Sequence, residues 1–184
     1  EMKDGYSRVN DYKATFIRQE KIGGKLRHEE IIGLEFKRPF MIKMRWESGP
    51  KKGREVAFVE GENENKMLVR LNGMMGAFVK FLLLDPEGAL ARKESRHSIR
   101  QGGIGNLINS LIDITQQAEK AGDLNTRLLG EEVIQNRPAY IVERSLPAGK
   151  YEAPRTLIYI DKELRLPIKI LRFDEKGDLF ERYV

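Results

Sequence analysis

Apolar residues recur at every second position through most of the chain, the period of strands with one dry and one wet face. Tyr12, Ala14 and Phe16 alternate with Lys13 and Thr15, and Ile32, Leu34 and Phe36 with Gly33, Glu35 and Lys37. Ile42, Met44 and Trp46 alternate with Lys43 and Arg45, while Met67, Val69 and Leu71 share a face opposite Arg70. An antiparallel sheet supplies that pair of faces. The breaks carry turn chemistry. Gly23-Gly24 provides the positive φ angles of a tight hairpin, and Asn72-Gly73 is the strongest turn signal in the chain. Further strands are predicted near 124–135, 138–145, 154–161, 167–174 and 178–184, and the apolar cluster from Phe78 to Leu84 reads as a buried strand. The total is a meander of roughly ten strands, wide enough to curl or close.

One stretch changes period. Ile104, Leu107, Ile108, Leu111, Ile112, Thr115 and Ala118 form a helical stripe, with Lys120 in the last turn and Gly122 as the stop. Ser98 and Gln101 have capping-box spacing, but Gly102, Gly103 and Gly105 weaken the first turns. A sheet with one amphipathic helix predicts an α+β, mainly β fold: a strongly curved antiparallel sheet, a half-open barrel, whose concave face the helix covers. The same pattern also suits a plain sheet–helix core without a hollow.

At 184 residues the chain is long enough to bury a core as one domain, 1–184, without a second. No apolar run reaches the ~18 residues of a membrane-spanning helix. There are no cysteines, which excludes disulfides, thiol catalysis and Cys-based metal sites. The first residue is Glu, as in a processed chain, so a leader or a lipid-bearing Cys would have lain upstream. The net charge of +5 comes from 33 basic and 28 acidic residues that are interspersed, and no basic–aromatic surface suited to stacked bases is evident. Nucleic acid is therefore not an expected partner.

The catalytic inventory is thin. His28 and His97 are far apart and lack carboxylates at ligand spacing, so neither a metal nor another cofactor is expected. Glu29 and Glu30 are neighbours in a strand, point to opposite faces, and cannot work together across one bond. No nucleophile stands beside an evident base, and no enzymatic activity is expected. Two features remain. Arg92, Lys93, Arg96, His97 and Arg100 precede the helix, either as a solvated loop or as contacts to anionic lipid headgroups. The glycines at 102, 103 and 105 suit an anion at the helix start, or close helix–sheet packing, or a hinge.

Gly33-Leu34-Glu35-Phe36-Lys37-Arg38-Pro39-Phe40 followed by Arg45-Trp46 resembles the strand–turn–strand of LolA-like periplasmic carriers. Tyr12 to Phe16 with Arg18-Gln19 resembles that family's first strand, and Leu166 to Ile170 with Asp174 and Gly177 its closing hairpin. Ser95-Arg96-His97-Ser98 and Gly103 to Ile108 resemble a narrower, uncharacterised bacterial branch within or close to that superfamily. Together these stretches span nearly the whole chain. The resemblance implies a periplasmic, exported protein that holds an acyl chain, a lipid or an acylated protein in the hollow of its sheet, with peripheral membrane contact. The alternative is an envelope interaction or sensing module without lipid. Phe36, Ile42, Met44, Trp46, Phe58, Met67 and Val69 are the expected pocket-lining residues, with Leu107, Leu111 and Ile112 from the lid helix. The family usually begins with a longer helix, of which residues 1–9 would be only the tail, and the chain ends straight after the last hairpin. Both departures weigh on specific lipoprotein transfer rather than on a general apolar site.

Overall fold

The computed structural model describes residues 2–73 and 81–184. The chain divides into two compact units: a first unit, Val9–Gly103, and a second, Glu1–Arg8 with Ile104–Val184. Twelve strands form among the described residues, rather than roughly ten, and every pairing between them given below is antiparallel.

The first unit contains β1 (Asp11–Ile22), β2 (Lys25–Leu26), β3 (Glu30–Lys37), β4 (Met41–Trp46), β5 (Glu55–Val59), β6 (Met67–Arg70) and β7 (Leu82–Leu84). Its strands are ordered β7-β6-β5-β4-β3-β1, with β2 paired to β1. The β1–β2 turn has Gly23 at φ +59° and Gly24 at φ +77°, the left-handed pair such a hairpin needs. The strand expected over Phe78 to Leu84 falls partly outside the described residues; Leu82–Leu84 is a strand.

Alternation puts Ile32, Leu34 and Phe36 of β3 and Ile42, Met44 and Trp46 of β4 on one face, with Ile31 and Met41 on the other. Phe36 stands opposite Ile42 and Ile42 opposite Phe58, while Leu34, Met44, Val56 and Val69 form the next row. Tyr12 and Phe16 extend this face on β1, which runs longer than its apolar part. The same parity then brings Arg18 and Glu20 inward, so the buried face turns charged at that end.

A segment after β7 lies over this face. It holds the short helix α2 (Ala89–Arg92) and a 3-10 turn, Ile99–Gln101. The capping box is real but caps that turn: the Ser98 N–H donates to Gln101 Oε1 at 3.2 Å and the Arg100 N–H to Ser98 Oγ at 3.3 Å. Gly102 and Gly103 then break the chain before the long helix begins.

The second unit holds the short helix α1 (Met2–Ser7), α3 (Ile104–Lys120), and β8 (Asn125–Ile134), β9 (Arg137–Ser145), β10 (Arg155–Asp161), β11 (Pro167–Phe173) and β12 (Leu179–Tyr183). The strand order is β12-β11-β10-β9-β8. The boundaries agree with the expected strands to within a residue or two. Leu111 of α3 is buried against Ile158 and Ile170, with Leu107 and Ile160 beside them. The opposite face of this sheet packs Ile134, Ala139, Leu157 and Tyr159. The Arg155 guanidinium lies 4.8 Å from the Phe173 ring centroid and Lys169 Nζ 4.2 Å from that of Tyr159, so cationic ends cover these aromatic faces.

Candidate functional site

The seven strand residues expected to line a pocket (Phe36, Ile42, Met44, Trp46, Phe58, Met67 and Val69) form one buried cluster in the first unit. Ala91 and Ile99 of the covering segment pack on it, with Phe40, Leu71, Leu82 and Leu84 at its margin. The cover approaches closely because it is glycine. A Cβ at Gly102 would stand 2.7 Å from Ile42 Cδ1, and one at Gly103 3.2 Å from the Phe36 ring. Leu107 and Leu111 are not part of this cluster; they pack in the second unit, and Ile112 is half-buried there. The structure therefore divides the expected pocket set. Sequence periodicity shows that a helix has a dry face, but not which strands receive it.

Three of the basic residues before the helix are tied into the first unit by hydrogen bonds. Arg92 donates to the Arg96 carbonyl at 2.6 Å, and Arg96 Nη1 to the Lys21 carbonyl at 3.2 Å. Arg100 donates to the Asn65 carbonyl at 3.2 Å and lies 4.8 Å from the Phe58 ring centroid. The His97 carbonyl accepts from Ser95 Oγ at 2.8 Å, and Lys93 is exposed. The glycines are spacers of the close-packing kind. At Gly105 a Cβ would fall 2.5 Å from the Tyr6 ring, which fixes how α1 meets α3.

An ion network that sequence reading missed pins the covering segment. Arg18 Nε donates to Glu30 at 2.6 Å and its Nη1 to Ser95 Oγ at 3.1 Å. Lys51 bridges Glu30 at 2.9 Å and Glu94 at 3.2 Å, and Arg54 reaches Glu94 at 2.8 Å. The Arg96 N–H donates to Glu20 at 3.1 Å. Arg18 and Lys51 also lie 5.8 and 6.0 Å from the Trp46 ring centroid. Glu30, the first residue of β3, turns inward, whereas Glu29, expected in the same strand, is exposed in the loop that precedes it.

Burial pushes the Glu30 carboxyl up, but Arg18 and Lys51 outweigh it and hold the group below its ordinary value. In the second unit Arg137 holds Asp161 low against burial, helped by the N–H groups of Leu164 and Glu163. A carboxylate lowered by folding contributes stability above its unfolded value and loses it as pH falls through the folded one. Urea midpoints are therefore expected to fall below about pH 4.5. The Glu30→Gln variant should show a shallower acid limb. Identical limbs in both proteins would contradict this account of Glu30.

The second unit contains another polar row that the sequence did not announce. Arg144 on β9 stands opposite Thr156 on β10, Thr156 opposite Arg172 on β11, and Arg172 opposite Glu181 on β12. All four are buried, Arg144 with 1% of its surface exposed and Glu181 with none. Arg172 Nη1 donates to Glu181 at 2.9 Å. Arg144 has no carboxylate partner among the described residues. It donates to the Leu111 carbonyl and to Thr115 Oγ1, both at 3.1 Å on α3, and to Thr156 Oγ1 at 3.4 Å. The Nε atoms of Arg144 and Arg172 are buried without a hydrogen-bond partner. Burial, with repulsion from Arg172, pulls the Arg144 guanidinium down to about 10.

Neither histidine joins a cluster of ligands: among the described residues no three His, Asp or Glu side chains are gathered as a metal would require. No helix among them is long and apolar enough to cross a membrane.

No curated protein matches the chain by sequence. Solved structures do. Lipoprotein LppX of Mycobacterium tuberculosis is 14% identical, with a TM-score of 0.55 over 100% of this chain and 89% of that one. An uncharacterised conserved protein of Thermus thermophilus is 10% identical, with a TM-score of 0.52 over 99% of this chain and 80% of the other. MucB, solved with MucA from Pseudomonas aeruginosa, is 18% identical at a TM-score of 0.50, over 97% of this chain and 51% of its own. The chain thus spans about half the length of that MucB chain. These likenesses show the fold, a mainly antiparallel β, LolA-like one. A family model matches residues 9–184, across both units, and the chain belongs to that family, described as Protein of unknown function (DUF1571).

Proposed function

We propose that this protein is an exported, periplasmic binder or carrier of an acyl-chain ligand, a lipid or an acylated protein, and not an enzyme. The observation that carries the reading is α3, an amphipathic helix laid on an apolar sheet face through Leu107 and Leu111 and also tied to it by Arg144. A helix held by both apolar packing and a few polar contacts can lift and reseat as a unit. The fold is one shared with a lipoprotein, LppX.

Native mass spectrometry of the purified protein, followed by organic extraction, tests this directly. A discrete adduct that extracts as lipid or acylated peptide is expected, and Leu111→Asp should abolish its retention. A folded Leu111→Asp protein with unchanged lipid content would remove α3 from the account. A bare wild-type protein that takes up no fluorescent acyl probe would end the carrier reading altogether.

A second reading, an envelope interaction module, is favoured by β8. This strand pairs only with β9 among the described residues, and it exposes Leu128 by 67% and Val133 by 66%. An open edge with apolar side chains is a template for an added strand. The MucB relative has been solved in complex with a protein, MucA.

A further inference from the structure

The buried row under α3 carries a surplus positive charge. Arg172 is balanced by Glu181, but Arg144 meets only a carbonyl and two hydroxyls, all neutral. A guanidinium withdrawn from water is strongly disfavoured unless an anion compensates it. Tying α3 to the sheet would need only a neutral donor such as an amide. Arg144 instead brings a full charge, a planar fork suited to an acid, and an Nε with no acceptor; Arg172, the next guanidinium along the row, offers a second unpartnered Nε.

The neighbouring row on the same sheet face is wholly different. Two residues along each strand, Val142 stands opposite Ile158, Ile158 opposite Ile170, and Ile170 opposite Tyr183. Cationic and apolar rows thus run side by side, roughly 7 Å apart by strand geometry. A surface that offers a charged line beside a greasy one matches a molecule with an acidic head and a hydrocarbon chain.

We propose that the row Arg144–Thr156–Arg172 beneath α3 is a headgroup subsite for the acidic group, carboxylate or phosphate, of a single-chain amphiphile. The acid takes the place of the Leu111 carbonyl and Thr115 Oγ1 at Arg144, and its chain runs along Val142, Ile158 and Ile170 toward Tyr183. Entry requires α3 to lift at Leu111–Thr115, where those two contacts are made. The proposal rests on the acyl-ligand reading above and adds the chemistry of the head.

The test uses the full chain after delipidation, with oleate, oleyl phosphate and oleyl alcohol titrated below their micelle concentrations. The wild type is expected to bind at least one of the two acids about tenfold or more tightly than the alcohol, the scale of one charge-assisted hydrogen bond. Tighter oleate binding points to a free fatty acid, and tighter oleyl phosphate binding to a phospholipid-derived ligand. Arg144→Met should erase the preference for acid over alcohol, and Arg144→Lys should restore part of it. Equal wild-type binding of acids and alcohol, a result that needs no variant, overturns the headgroup subsite and leaves the acyl reading intact. A preference that persists in Arg144→Met also overturns it. Binding of none of the three overturns both.

Discussion

Replacing Glu181 with glutamine is expected to destabilise the protein by about 3–5 kcal/mol, because it strips a buried ion pair of its only negative member. Glu181 is fully buried, and Arg172, which it holds at 2.9 Å, is 5% exposed. The orphaned guanidinium would then lie near Arg144, a second buried cation with no carboxylate of its own. The two would repel in a dry place, with no counter-charge left in the row. Midpoint temperature should fall on the order of 10 °C for a chain of this length. The double variant Arg172→Met, Glu181→Leu should recover most of the loss, since matched apolar side chains replace buried pairs at little cost. A single variant as stable as the wild type would mean that water reaches the row.

Phe58→Ala is expected to cost about 3–5 kcal/mol, the range for truncating a buried aromatic residue. Its ring is 1% exposed, meets Phe40 edge-on at a centroid distance of 5.8 Å, and receives Arg100 on its face. Truncation opens a cavity and at the same time releases the cation that anchors the covering segment at Asn65. Urea titration of both proteins reads the loss. A loss under about 1 kcal/mol would instead identify this face as one that collapses or refills easily, as a binding surface does and a core does not.

Much of the fold was legible because alternation is local. Strands β8 to β12 start and stop where turn residues break the period, and the stripe from Ile104 to Ala118 delivered α3 whole. What failed depended on contacts between distant residues. The capping box at Ser98 and Gln101 marked a helical start, yet it caps a single 3-10 turn because Gly102 and Gly103 must pass flat over Ile42 and Phe36. The stripe of α3 fitted any apolar sheet, and its partners proved to be Ile158 and Ile170. Five basic positions before α3 looked like a surface, but three of their guanidinium groups serve backbone carbonyls. Arg144 was least legible of all. A charged residue between Glu143 and Ser145 in a strand suggests solvent, and only the arrival of α3 makes it interior.

The hold of Arg144 on α3 is made partly to main chain, and this bears on how the two elements can diverge. The carbonyl of residue 111 is present whatever side chain stands there, so the leucine can be exchanged without touching that bond. Positions 111 and 144 are then under no mutual constraint through it, and correlated substitution between them is not expected. Any coupled drift should instead link Arg144 with Thr115, whose hydroxyl is the side-chain half of the contact. Relatives can therefore restyle the underside of the helix, and with it the chain length or branching it tolerates, while keeping the same anchorage.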